Sequence, residues 1–92
     1  MGLRFSLQAG AALANLAPQP KRALRKALTA LSKDPIGASG LDVRLLDQPR
    51  GRTPIYRLTV GHYRAAYEVR RRDVYVVRVF HRRDGYGWLE RL

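Results

Sequence analysis

Three short runs in the second half of the chain alternate apolar and polar residues and stand only a turn apart. Tyr56-Arg57-Leu58-Thr59-Val60 leads through Gly61-His62 into Tyr63-Arg64-Ala65-Ala66-Tyr67-Glu68-Val69, and Val74-Tyr75-Val76-Val77-Arg78-Val79-Phe80 follows. A period of two puts successive side chains on opposite faces of a strand. A two-residue gap containing glycine joins the first two runs as a hairpin. The chain must therefore build an antiparallel sheet, and the apolar face of that sheet needs another layer to cover it.

The first half supplies the cover. Residues 3–7 read as a short strand. Residues 8–17 are rich in alanine and leucine, favour a helix, and stop at Pro18-Gln19-Pro20. Pro20 fits the first turn of a following helix, where its missing N–H costs little. Over residues 21–33, Leu24, Leu28 and Leu31 recur at i, i+4 and i+7, with Arg22, Arg25, Lys26 and Lys33 mostly off that stripe, and Asp34-Pro35 ends the run. After a loop at 37–40, residues 41–46 read as a second strand, 47–54 as a polar connection, and 55–60, 63–70 and 73–80 as the remaining strands. The β-α-α-β-β-β order predicts an α+β fold, with two N-terminal helices packed as a hairpin on one face of a mainly antiparallel sheet. Residues 1–92 read as one domain, without repeat, low-complexity stretch or linker. Residues 87–92 read as a helical turn or a tail.

There is no cysteine, so neither disulfides nor thiolate chemistry operate here, which suits a reducing cytoplasm. Neither a span of roughly 18 apolar residues nor a signal-peptide pattern occurs, so no membrane association is expected. The charge is more informative. Eighteen Lys+Arg against seven Asp+Glu give a formal net charge of +11. Fifteen of the eighteen are arginine, and ten of those fall between Arg50 and Arg83 with only Glu68 and Asp73 to offset them. A GC-rich genome also raises arginine over lysine, but it does not produce the net charge. Arginine is favoured where planar, bidentate contact with phosphate or carboxylate is wanted, so an anionic partner is expected: nucleic acid, an acidic protein, or both.

Strand parity sorts these arginines. In the third strand Tyr56, Leu58 and Val60 oppose Arg57 and Thr59. In the fourth, Tyr63, Ala65, Tyr67 and Val69 oppose Arg64, Ala66 and Glu68. In the fifth, Tyr75, Val77 and Val79 oppose Arg78 and Phe80, with Arg82 continuing that parity if the strand extends. With the apolar sets under the helices, Arg57, Arg64, Arg78 and Arg82 reach the open face, exposed. Like charges so close repel, and a purely structural sheet does not need them. The plainer alternative is a solvated charged face, with Glu68 pairing Arg64 or Arg78.

Such a face can cut RNA without a metal. Attack by a neighbouring 2′-hydroxyl needs removal of its proton, stabilisation of the anionic phosphorane, and protonation of the departing 5′-oxygen. Arginines in a partly dry concavity serve the second need. Tyr86, just beyond the arginine pair Arg82-Arg83, is placed to stack a base and hold the 2′-oxygen in line, or else is a packing tyrosine. His81 can supply a base, since imidazole titrates near neutrality, although its parity points it toward the helices. Arg50, Arg52, Arg78 and Arg83, with His81, are expected to contact RNA. Asp34, Asp42, Asp47, Asp73 and Asp84 lie scattered at turns and strand ends without metal-ligand spacing, so no metal or cofactor is expected.

The hairpin Tyr56–Val69 and the strand that empties into His81-Arg82-Arg83-Asp84-Gly85-Tyr86 resemble the RelE/ParE superfamily of toxins from bacterial toxin–antitoxin pairs, which carry a YRLxVGxYRxxYEV hairpin and a strand ending in HRRxxxY. The likeness covers nearly the whole chain. It implies a type II toxin that acts as a metal-independent endoribonuclease on mRNA, on the ribosome, with Arg64 and Arg82 at the scissile phosphate, Tyr86 on the substrate base, and Arg57 completing the site. At Thr59 the better-studied enzymes have lysine, so a proposed general base is absent. The resemblance also implies a cognate antitoxin that wraps the basic surface, and operator DNA bound only by the toxin–antitoxin complex. The same superfamily holds ParE-like gyrase poisons that perform no chemistry, and a degenerate toxin that serves only as an antitoxin or DNA partner is a third possibility.

Overall fold

A computed structural model describes residues 2–35, 40–46 and 53–91. Its elements are β1 (Gly2–Phe5), α1 (Leu7–Ala14), α2 (Pro18–Leu31), β2 (Asp42–Leu45), β3 (Tyr56–Val60), β4 (Tyr63–Arg70) and β5 (Asp73–His81), followed by two 3₁₀ turns at Arg82–Asp84 and Gly87–Arg91. Two helices and a five-stranded sheet make the expected α+β fold; four strands follow the helices, as the ranges 41–46, 55–60, 63–70 and 73–80 predict, one more than the β-α-α-β-β-β order counts. The strand order is β1-β5-β4-β3-β2. Every pairing is antiparallel except β1 with β5, which run parallel. No described helix is long and apolar enough to cross a membrane.

Local chemistry sets the joints. Gly61 adopts φ 59°, the left-handed region that glycine enters at no steric cost, in the two-residue turn between β3 and β4. The first strand ends at Phe5 because Ser6 caps α1: its Oγ accepts from the Ala9 N–H at 3.0 Å. The same hydroxyl donates to the Val77 carbonyl at 2.6 Å. Two residues later the Gln8 carboxamide donates to the Val79 carbonyl at 2.9 Å and accepts the Val79 N–H at 3.0 Å. A glutamine side chain thus pairs with the edge of β5 as a strand would, extending the β1 ladder. Pro18 opens α2 at its first position, so the helix starts three residues before the expected Lys21.

The helices cover one face of the sheet. Leu24, Leu28 and Leu31 are fully buried, as their spacing predicts, against Leu58, Ala65, Tyr67, Val74, Val76 and Val79. Burying each leucine contributes roughly 1.5–3 kcal/mol. Tyr67 stacks on Tyr56 with centroids 5.5 Å apart and donates its hydroxyl to the Pro35 carbonyl. Burial, and then the neighbouring Tyr56, push its ionisation well above the ordinary value.

Two expectations need correction. In β5, Tyr75 and Val77 do not lie under the helices. Tyr67 pairs with Val76 while Ala66 pairs with Arg78, so Val77 is an extra residue that resets the alternation. Val74 and Val76 face the helices before this bulge and Val79 after it, whereas Val77 packs on the opposite face with Phe80. The Ser6 hydroxyl takes up the carbonyl of the bulged residue. Arg78 still reaches the face expected for it.

That opposite face is not open. Ile55, Ala66, Phe80 and Trp88 form a second buried cluster, with Leu46, Val77, Tyr86 and Leu89 packed around it. The C-terminal turn folds back over the sheet and half-buries the arginines there. Glu68 pairs neither Arg64 nor Arg78; it accepts from Arg70 Nε at 2.7 Å on its own strand.

Candidate functional site

Register places the site. Asp42, Thr59, Arg64 and Phe80 form one row across β2, β3, β4 and β5, and Arg44, Arg57, Ala66 and Arg78 form the next. Directly opposed residues share a face, so both rows lie on the side away from the helices. Four strands thus contribute charge to one surface, one more than sequence parity anticipates. Arg57 and Arg64 are diagonal neighbours across β3 and β4.

Three functional candidates converge. Arg64 Nη1 donates to the Tyr86 hydroxyl oxygen at 3.1 Å and Arg57 Nη1 donates to the same oxygen at 3.4 Å. The Arg64 guanidinium carbon stands 5.8 Å from the Tyr86 ring centroid. Arg57 Nη2 meets Asp42 Oδ1 at 3.5 Å, with only 14% of the Arg57 side chain exposed. Of the two guanidiniums only that of Arg57 has a carboxylate partner among the described residues, and Arg44 and Arg78 on the same face add to the excess of positive charge. The Nε atoms of Arg57 and Arg64 and the Thr59 hydroxyl are buried without a hydrogen-bond partner among the described residues. Each such group is worth about 1–3 kcal/mol when left unpaired. A site of this kind favours an incoming anion that accepts from several donors at once.

Tyr86 is held from behind. Its ring meets Phe80 edge-on at 5.5 Å and lies 6.4 Å from Trp88. Phe80 also meets Trp88 at 5.5 Å, and the Arg78 guanidinium lies 5.8 Å from the Trp88 ring centroid. Leu89 N–H donates to the Tyr86 carbonyl at 2.9 Å, closing the C-terminal turn.

The other candidates lie elsewhere. Arg82 opens the first 3₁₀ turn; its N–H donates to the His62 carbonyl at 2.8 Å, and its exposed guanidinium makes no hydrogen bond or ion pair among the described residues. Arg83 is exposed on the same turn. His81 keeps the parity expected of it: it pairs with Tyr63, meets that ring edge-on at 5.2 Å, and stacks near His62 at 5.9 Å. Its Nδ1 accepts the Arg83 N–H at 3.2 Å while Asp84 Oδ2 accepts the His81 N–H at 3.2 Å, a reciprocal cap that fixes the turn. Local desolvation, followed by the Arg83 charge, lowers the His81 pKa below its ordinary value. The structure does not bring His81 to the paired arginines. Arg50 and Arg52 lie outside the described residues.

Asp42, Arg44 and Trp88 belong to the surface although their sequence context does not single them out. The signal for the first two was the alternation Asp42-Val43-Arg44, with Val43 packed on the helix side. Trp88 carries no comparable local signal.

The sequence matches the profile of the ParE toxins of type II toxin–antitoxin systems over residues 3–86, and the chain belongs to that family, within the RelE/ParE toxin superfamily. No curated protein matches it. Among solved structures, the fold matches the archaeal RelE–RelB complex from Pyrococcus horikoshii with a TM-score of 0.73 at 23% identity, covering 88% of this chain and 93% of that one. The RelBE2 toxin–antitoxin complex of Mycobacterium tuberculosis gives 0.68 at 24% identity, covering 88% and 96%. The intact RelBE complex of Escherichia coli gives 0.66 at 24%, covering 87% and 94%. At such identities the likeness is one of fold.

Proposed function

We propose that this toxin is a metal-independent endoribonuclease that cuts mRNA by attack of a 2′-hydroxyl on the adjacent phosphate, with the ribosome presenting the message. The observation that carries the reading is the meeting of Arg57 and Arg64 at one oxygen, the Tyr86 hydroxyl. A substrate phosphate takes the donor hydrogens that the phenol now accepts and engages the unpartnered Nε atoms as well. Two half-buried guanidiniums stabilise the phosphorane more strongly than exposed ones, because a drier surrounding screens less. Tyr86, swung from this contact, stacks on the base beside the cut and keeps the 2′-oxygen in line. Arg78, Arg82 and Arg83 follow the flanking phosphates. The antitoxin of the pair, a segment rich in acidic residues, covers the same arginines and silences the site by mass action.

A gyrase poison without chemistry is the second reading. Two observations favour it: Thr59 stands where a lysine base is expected, and the matched profile is that of ParE toxins. One pair of assays decides. Purified toxin is added to a translation reaction, and the mRNA 5′ ends are mapped by primer extension; the same preparation is tested for gyrase inhibition on supercoiled plasmid. New mRNA ends that vanish in Arg64→Ala support the nuclease. Intact mRNA with gyrase inhibition refutes it.

A further inference from the structure

The strand order ends at β2, which pairs only with β3 among the described residues. The Leu46 N–H donates to the Ile55 carbonyl at 2.8 Å, continuing the β2–β3 register by one pair. Hydrogen-bonded pairs alternate along an antiparallel ladder, so Arg44 and Asp42 also turn their backbone groups to β3. The N–H and carbonyl groups of Leu41, Val43 and Leu45 point the other way, off the sheet edge. Such an edge is a template for pairing with another chain.

The side chains of this edge are matched to one particular partner. Leu41 and Val43 pack on the helix-side core, whereas Asp42 meets Arg57 on the opposite face. Leu45 shares the helix side by alternation, yet it is 62% exposed. Leu41-Asp42-Val43-Arg44-Leu45 thus reads apolar, acidic, apolar, basic, apolar. Reversing the segment only exchanges its two charges, so it complements an antiparallel copy of itself. A sheet that continues across a perpendicular twofold axis keeps opposed residues on one face, which allows registers centred on Asp42, Val43 or Arg44. Centring on Asp42 or on Arg44 sets like charges against each other, which destabilises the pair. Centring on Val43 sets Asp42 against Arg44 of the second copy, twice by symmetry, and Leu41 against Leu45. The outward backbone groups of these apolar residues then bond across the axis. The charged pairs fall at non-hydrogen-bonded positions, where side chains stand closer.

We infer that the toxin associates with a second copy of itself through β2, in a twofold dimer whose sheet runs unbroken across Val43. Both helix layers then lie on one side and both arginine faces on the other. Asp42 stands between Arg57 of its own chain and Arg44 of the second copy, so association reaches the site through that carboxylate. A short charged edge strand otherwise serves to block pairing, but charges of opposite sign in this register do not repel. The net charge of +11 on each chain opposes association at long range, and a strip of one strand is small for a specific interface. The dimer is therefore weak. The inference stands independently of the ribonuclease reading.

Sedimentation equilibrium of the full-length toxin is run across the micromolar to millimolar range. An ionic strength of about 0.15 M, with a Debye length of about 8 Å, limits the long-range repulsion. The mass is expected to rise with concentration from 10.5 kDa toward twice that value. Arg44→Asp opposes carboxylates at both symmetric positions, and is expected to raise the dissociation constant at least roughly tenfold although it lowers the net charge. Asp42→Arg is expected to do the same by opposing guanidiniums. An equimolar mixture of the two variants restores both opposite-charge pairs at the wild-type total charge, and is expected to dimerise about as tightly as wild type. Leu45→Thr, at an exposed position, is expected to weaken the dimer several-fold while the fold persists in circular-dichroism melts. If Asp42→Arg does not fold, Arg44→Asp and Leu45→Thr decide. A wild type that stays monomeric throughout overturns the inference. So does a dimer unmoved by Arg44→Asp or Leu45→Thr, or a mixture of folded charge variants that associates no more tightly than either alone.

Discussion

Removing only the Tyr86 hydroxyl separates three roles for this ring. In Tyr86→Phe the guanidiniums of Arg57 and Arg64 lose an acceptor at 3.4 and 3.1 Å. One of those bonds is long and both donors are charged, so the net loss is about 1 kcal/mol, in the ordinary range for a hydrogen bond in a folded protein. For a domain of this size that lowers Tm by roughly 4–8 °C. Tyr86→Ala also removes the edge contact with Phe80 and the packing beside Trp88. A fully buried aromatic truncated to alanine costs about 3–5 kcal/mol, so this half-buried ring should bring the total to roughly 3 kcal/mol. Cleavage per folded molecule is expected to diverge from stability. Phe keeps the π-face and frees both guanidiniums for phosphate, so its rate stays near wild type. Ala loses a stacking contact of about 1–3 kcal/mol and falls at least roughly tenfold. The assay is primer extension on translated mRNA, normalised to the folded fraction from circular-dichroism melts. Equal rate losses in Phe and Ala would refute stacking and point to a proton-handling phenol. An unchanged Tm in Phe would show that the arginine–phenol contact carries no free energy.

Arg64→Ala is expected to slow cleavage by roughly 10²–10³, the effect of deleting one electrostatic donor, with Tm nearly unchanged because a buried unpartnered Nε disappears along with the lost bond; large destabilisation with full activity per folded molecule would contradict this. Arg71 sits at φ 41°, a left-handed conformation that disfavours a side chain by about 1–2 kcal/mol. Glycine there relieves that strain and costs about 0.5–1 kcal/mol in unfolded-state entropy, so Arg71→Gly should stabilise by roughly 0.5 kcal/mol in urea melts, and a loss would refute the strain. The folded-state pKa of His81 is lowered, so its contribution to stability is present above the unfolded value near 6.5 and is lost as pH falls through the folded value. Wild type should therefore lose more stability than His81→Gln between pH 7 and pH 5 in thermal melts; parallel curves would show that the Nδ1 contact does not couple to folding.

The layers of this fold were legible because period and parity are properties of the chain itself. Leu24, Leu28 and Leu31 mark their helix face without reference to anything distant, and Arg57, Thr59 and Arg64 mark their strand face in the same way. Parity failed at Tyr75 and Val77 because a bulge arises from pairing between strands, and its carbonyl is taken up by Ser6, 71 positions away along the chain. The end of β1 was misplaced for a related reason: Ser6 looks like any polar residue until a helix N-terminus needs it. Asp42 read as a turn carboxylate, because its link to Arg57 depends on β2 pairing with β3 in one particular register.

The covered sheet face was least legible, and it matters most for the site. Strand parity assigns Arg57 and Arg64 to a surface and says nothing of what folds over that surface. Trp88 packs on Phe80, Ala66 and Ile55, and in doing so brings Tyr86 to the two guanidiniums. One segment therefore sets both the geometry of the site and its dryness. The same two arginines on an open sheet would be screened by water, and their shared contact would be worth little. Half-buried under the C-terminal turn, they keep unpartnered donors and an excess of positive charge that a single carboxylate does not offset. None of the helix-side core residues belongs to the second cluster. Fold and site are thus carried by opposite faces of one sheet. Changes at Trp88 or Phe80 act on the arginines first, through the placement of Tyr86, while changes at Leu24 or Leu28 act on the whole molecule.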